Sequence, residues 1–178
     1  MKAKLLLIAA LATGASAEDA IWIDVPFVAQ PREGCGAASL AMVIQYWERQ
    51  LGHATSQISD ANYIQRVMYS PGAHGIYASD LESYLRQHGF RSYAFRGDLE
   101  LLRQHLAKGR PLIVALKPSR QSLLHYVVVD GIELSQGTVS VNDPAQRKLL
   151  KMESSRFEHA WLGTRNWTLL ALPQSDAP

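Results

Sequence analysis

The spacing of apolar positions changes several times along the chain, and each change predicts an element. From Trp22 to Val28 apolar and polar residues alternate, which predicts a short strand, and Gln30-Pro31-Arg32-Glu33-Gly34 then reads as a loop. Ala37, Leu40, Ala41, Ile44, Trp47 and Leu51 fall at helical spacing and predict a buried helix that begins near Cys35 and ends before Gly52. A second helix is expected from about Gln57 to Tyr69, stopped by Pro71-Gly72. A third would start with Ser79 and Glu82 as a capping box and end at Gly89. Asp98 is placed to cap a fourth over Leu99 to Lys108, closed by Gly109 and Pro111. Strands are expected at Leu112–Leu116, His125–Val129, Thr138–Val141 and Trp167–Leu172, with a hairpin turn at Ser135-Gln136-Gly137 and a short helix near Ser155 to Trp161. Helices first and antiparallel strands after is an α+β layout.

Residues 1–17 stand apart from this pattern. Lys2 and Lys4 precede the apolar stretch Leu5 to Ala12, and Ala15-Ser16-Ala17 offers the small residues a signal peptidase cuts after. The apolar stretch is well short of the ~20 residues a spanning helix needs. A cleaved signal peptide is therefore expected over residues 1–17, with no stable membrane insertion afterwards and an exported product, periplasmic or secreted. The 178-residue chain is 47% hydrophobic, which suits one domain, here 18–172, followed by a flexible tail at 173–178. Taking away the leader removes two lysines and no acid, leaving 16 cations against 16 acids. That balance argues against nucleic acid or an acidic membrane as partner.

One cysteine in an exported chain cannot form an internal disulfide, so Cys35 is either a core residue or a reactive thiol. It sits where a glycine-flanked loop enters an apolar helix, a setting of free backbone amides and positive dipole that favours a thiolate. Gly34 and Gly36 leave room beside it for a substrate backbone to approach. His125 opens an otherwise apolar strand, a rigid place from which to aim an imidazole. Asp143, in Asn142-Asp143-Pro144, ends the next strand, where a carboxylate can fix the orientation of a histidine ring. Gln30 is five residues before Cys35, close enough for its amide to donate to an oxyanion forming beside the sulfur. Each alone has an ordinary structural reading.

Together these residues resemble a known family. Gln30, then Cys35-Gly36-Ala37-Ala38 leading a helix, then His125-Tyr126-Val127-Val128-Val129-Asp130-Gly131, then Asn142-Asp143-Pro144-Ala145 is similar to cysteine peptidase family 39, which includes bacteriocin double-glycine leader peptidases and exported stand-alone relatives. The resemblance spans about Val25 to Trp161. It implies a papain-like fold, with an N-terminal helical half carrying the nucleophile and a C-terminal antiparallel sheet half carrying the histidine. It implies Cys35 as nucleophile, His125 as base and acid, Asp143 as the residue orienting His125, and Gln30 as oxyanion donor, with no metal or cofactor. The expected substrate is a peptide or protein and the expected state a monomer. The chain carries neither transporter helices nor a phosphate-binding Gly-x-x-x-x-Gly-Lys loop, and Ala37 stands where many relatives have proline. A non-catalytic peptide-binding module and an amidase or acyltransferase with the same centre are the alternatives.

The other histidines, His53, His74, His88, His105 and His159, form no close pair in sequence that would suggest a metal cage. Gly-x-Ser-x-Gly is absent, which disfavours a serine nucleophile.

Overall fold

The computed structural model describes residues 20–174, so the expected signal peptide and residues 175–178 lie outside it. Within that range the chain builds β1 (Ala20–Trp22), α1 (Cys35–Gln50), α2 (Ala61–Met68), α3 (Ala78–Gln87), β2 (Phe90–Arg96), α4 (Leu99–Leu106), β3 (Leu112–Leu116), β4 (His125–Glu133), β5 (Thr138–Asp143), β6 (Arg147–Glu153), α5 (Ser154–Leu162) and β7 (Trp167–Pro173). The sheet is antiparallel in the order β2-β7-β3-β4-β5-β6, and β1 pairs with the far half of β4 through Ala20↔Glu133 and Trp22↔Gly131.

The period-2 alternation of the strands divides two cores. Ile113, Ala115, Tyr126 and Val128 face α1, whose Ala37, Leu40, Ala41 and Ile44 are fully buried against them. Leu112, Val114, Val127 and Val129 face the other way, onto Leu102 and Leu106 of α4 and Phe157 and Trp161 of α5. Each large core side chain stabilises by ~1.5–3 kcal/mol on burial, and together they fix which face of β4 is which. Polar anchors pin α1 to the sheet: Tyr46 Oη donates to Gly109 O at 2.7 Å and Trp47 Nε1 to Ala171 O at 3.0 Å. The helical half thus packs on the sheet and also contributes β1 and β2 to it.

Several expectations shift. Of the strand expected over Trp22 to Val28, only Trp22 lies in β1, with one further bond to β4 from Ile23 N to Asp130 O at 2.8 Å, since Val25 N turns back to Ile23 O at 3.0 Å and Pro26 has no N–H to offer a partner. Its apolar residues serve packing instead, with Val25 fully buried. The helix expected from Gln57 splits into a 3-10 turn at Gln57–Ser59 and α2, because Asp60 accepts from Tyr63 N at 2.6 Å and restarts the helix. The capping box at Ser79 and Glu82 does not form. The cap position of α3 is Tyr77, Ser79 lies inside the helix, and Glu82 faces Arg86 at 3.6 Å. Asp98 does cap α4, accepting from Leu101 N at 2.8 Å. Strands β2 and β6 were not anticipated. Gly137, at φ 59, closes the expected turn between β4 and β5.

Candidate active site

Position 35 is the first residue of α1, and Gly34 at the cap position makes no side-chain cap, so the first-turn amides beside the sulfur stay uncovered by side chains. The two flanking glycines serve packing. A Cβ on Gly34 would sit 2.5 Å from the Pro31 ring, and one on Gly36 would press at 3.4 Å on Ile76, Leu81 and Tyr126. The room they create is taken by the protein itself, which fixes how closely α1 approaches β4 and so how deep Cys35 sits.

His125 starts β4 and Asp143 ends β5. The two strands are neighbours, and the alternation that sends Val127 and Val141 to the α5 face puts both side chains on it too. There His125 Nε2 and Asp143 Oδ1 are 2.7 Å apart. This bond leaves Nδ1 as the nitrogen free for the thiol, and Cys35 is near enough for its charge to act on the ring. Burial works against a charged ring, but the hydrogen bonds and charges of Asp143 and Cys35 outweigh it and hold the His125 pKa up at about 9. Asp143 is also buried, which pushes its pKa up, yet the bond and charge of His125, the Ala145 N–H and the Gln146 amide together bring it below its ordinary value. His125 and Asp143 are therefore in direct contact, with Cys35 close by at the start of α1.

Gln30 lies in the loop before α1, and its N–H donates to Pro144 O at 3.0 Å, which ties the loop bearing the nucleophile to the turn bearing Asp143. Its Oε1 is buried without a partner, and its Nε2 makes no hydrogen bond among the described residues. A second tie runs through fully buried Asn142, whose Nδ2 donates to Val25 O at 3.1 Å while its Oδ1 accepts from Leu149 N at 3.0 Å. Leu149 is left-handed at φ 54, and the β5–β6 register shifts between Val141 and Asp143. Asn142 thus supports the irregular backbone that turns Asp143 toward His125.

Gln146 was not foreseen. Its Nε2 donates to Asp143 Oδ2 at 2.5 Å, so both carboxylate oxygens are engaged. A glutamine three residues after the aspartate in a Pro-containing turn was the available signal. Equally unforeseen is a groove of about 610 Å³ beside His125 and Asp143, floored by Leu116, Leu150, Met152 and Ala160. Of the other histidines, His88 donates through Nδ1 to Tyr84 O at 2.8 Å, His74 stands 3.8 Å from Glu33, and burial lowers the pKa of His105. Among the described residues no cluster of His, Cys, Asp or Glu could hold a metal, and no helix is long and apolar enough to cross a membrane.

Residues 22–168 match the Peptidase_C39 like family. No curated protein sequence matches the chain. Among solved structures, a double glycine motif protease from an AMS/PCAT transporter in complex with its leader peptide aligns over 85% of this chain and 94% of its own, with 22% identity and a TM-score of 0.65. The peptidase domain of Streptococcus ComA, a bifunctional ABC transporter, aligns over 85% and 100%, with 23% identity and a TM-score of 0.65. A C39-like peptidase from Bacillus anthracis aligns over 88% and 99%, with 19% identity and a TM-score of 0.66. The α+β, papain-like architecture expected from the sequence is the one these structures share.

Proposed function

Since this chain belongs to the Peptidase_C39 like family, we propose that it is an exported thiol peptidase working through Cys35, His125, Asp143 and Gln30. The observation that carries the reading is the 2.7 Å His125–Asp143 bond beside Cys35, with the ring held protonated to about pH 9. The Cys35 thiolate attacks the substrate carbonyl carbon, forming a C–S bond, while the free Gln30 Nε2 and the Cys35 backbone N–H donate to the oxyanion. The C–N bond then breaks as His125 passes its proton to the leaving amine. Water, giving a proton to the neutral His125, attacks the thioester, and the C–S bond breaks to release the acid and restore the Cys35 thiolate beside a protonated His125. Asp143 keeps the ring in one tautomer and orientation throughout. That a structural neighbour was solved with a leader peptide bound supports a peptide as the substrate here. Export rests on the sequence of residues 1–17.

The test is the pH dependence of Cys35 alkylation by iodoacetamide, in the wild type and in His125→Ala and Asp143→Asn. Labelling well below the ~8.5 pKa of a free thiol is expected, and its loss in His125→Ala. Slow labelling indifferent to both substitutions would overturn the reading in favour of a binding module. Gln30→Ala should keep fast labelling yet lose on the order of 10²-fold in kcat on a cleaved peptide. Equal turnover by Gln30→Ala would remove it from the oxyanion site.

A further inference from the structure

The groove beside His125 does not end at α5. Past Pro118 and His159, which line both, it runs into a second depression of about 510 Å³ bounded by Lys117, Arg120 and Leu162. The floor of the groove beside His125 is apolar, and Leu123, 73% exposed, stands at its lip two residues before His125. The rim is cationic. Lys117, Arg120, Lys151 and Arg156 line it, with His159 between them, against two acids, Glu153 and, at the His125 end, Asp143, which is held by His125 and Gln146.

Two further facts give this rim meaning. None of the four cations forms an ion pair among the described residues, although five such pairs occur elsewhere and a sixth, His125–Asp143, lies at the groove's end. The Glu153 carboxylate already accepts from Ser155 Oγ at 2.6 Å. The chain outside residues 1–17 has as many acids as cations, so this concentration is not a by-product of general basicity. Cations left unpaired along an apolar channel that ends at a histidine pair present a field that selects what enters.

We infer that the channel from His125 along α5 binds an acidic segment of the substrate, one that alternates aspartate or glutamate with apolar side chains and flanks the bond to be cut. The carboxylates meet Arg120, Arg156 and Lys117 at the rim, while the apolar residues cover Leu116, Leu150 and Met152 on the floor. This specificity rests on the peptidase reading above, deepening it from "a peptide" to an acidic, apolar one.

The experiment uses full-length protein carrying Cys35→Ala, so that bound peptide is not consumed, and fluorescence anisotropy with short fluorescein-labelled peptides of Gly, Leu and Glu. The same peptides with Gln or Lys replacing Glu are the comparison. The Glu peptide should bind on the order of tenfold more tightly than the Gln peptide at low salt, with the difference shrinking to about twofold or less at 0.5 M NaCl. The preference should vanish in Arg120→Glu/Arg156→Glu and weaken in Arg120→Gln/Arg156→Gln. Both sites are exposed, and thermal melts verify folding. Equal binding of Glu and Gln peptides, a preference that survives the double reversal, or displacement of the Glu peptide by a lower concentration of a single-stranded oligonucleotide would overturn the inference. Cys35 alkylation in the otherwise wild-type chain tests the peptidase reading separately. An inert thiol with intact Glu preference would remove peptidase activity and leave an acidic-peptide channel, while an active thiol without the preference would do the reverse.

Discussion

Replacing Asp130 with asparagine should stabilise the fold at neutral pH, by an amount that shrinks as the solution is acidified. Asp130 is fully buried in β4, at the point where the register with β5 shifts between Val129 and Gly131. Neither carboxylate oxygen has a hydrogen-bond partner, the Ser140 hydroxyl lying close enough to soften the environment without completing a bond. Burial raises its pKa from 3.8 to about 6. Between those values the folded state holds a proton that the unfolded state has released, so stability falls as pH rises and the loss is complete above about pH 6. Two units correspond to roughly 3 kcal/mol in all, and to about 2.5 kcal/mol between pH 4 and pH 7.5. An asparagine resembles the protonated acid in size and neutrality, so whatever fixed cost its amide brings cancels when one variant is compared at two pH values. Urea unfolding of wild type and Asp130→Asn at pH 4 and pH 7.5 measures this directly. The contribution of His125 is common to both chains and drops out. A stability difference that stays flat between the two pH values, or grows toward acid, would refute the account of Asp130 as an unpaired buried charge.

Other outcomes are equally specific. The His125 pKa is raised to about 9, so the charged state of the ring is fully present below about 6.5 and lost as pH rises through about 9; peptide turnover should fall over that upper limb, and in Asp143→Asn the fall should move to lower pH. Asn142→Ala strips Val25 O and Leu149 N of their partner, and should cost ~1–3 kcal/mol per orphaned group in urea unfolding while also slowing Cys35 alkylation, because the turn that aims Asp143 loses its support. Gly163→Ala would put a Cβ 2.1 Å from Lys117 O, where Lys117 N already bonds Ala160 O at 2.7 Å, so about 3 kcal/mol of destabilisation is expected; a variant as stable as wild type would show that this crossing of α5 and the β3–β4 loop is not tightly held.

What could be read from the sequence depended on whether a residue's role was local. Helix α1 shows its boundaries because its buried face is continuous from Ala37 to Ile44 and a glycine ends it, and β3 is apolar on both faces because both are covered. Strand β6, Arg147-Lys148-Leu149-Leu150-Lys151-Met152-Glu153, hides its one half-buried face among charges, as an edge strand does. Strand β2 is the opposite edge, held through its pairing with β7, a partner more than seventy residues away. Cys35, His125 and Asp143 stood out because each is at an element boundary, where a polar residue beside an apolar run is conspicuous, whereas Gln30 lies within the loop before α1 and was marked by its spacing from Cys35. Gln146, the buried function of Asn142 and the cationic channel did not, since each depends on which strand or helix lies alongside. The capping box at Ser79 misled because a motif of the right spacing also fits the inside of a helix, where Glu82 found Arg86 instead.

The pairing of β1 with β4 has a practical consequence for handling the protein. Ala20 lies opposite Glu133, eight residues along the strand from His125, so the described chain enters the sheet about 26 Å from the imidazole. A purification tag, a fused reporter or a surface linkage attached ahead of Ala20 departs from the far end of the sheet. Immobilised by that end, the molecule would present its cysteine and histidine outward, away from whatever holds it.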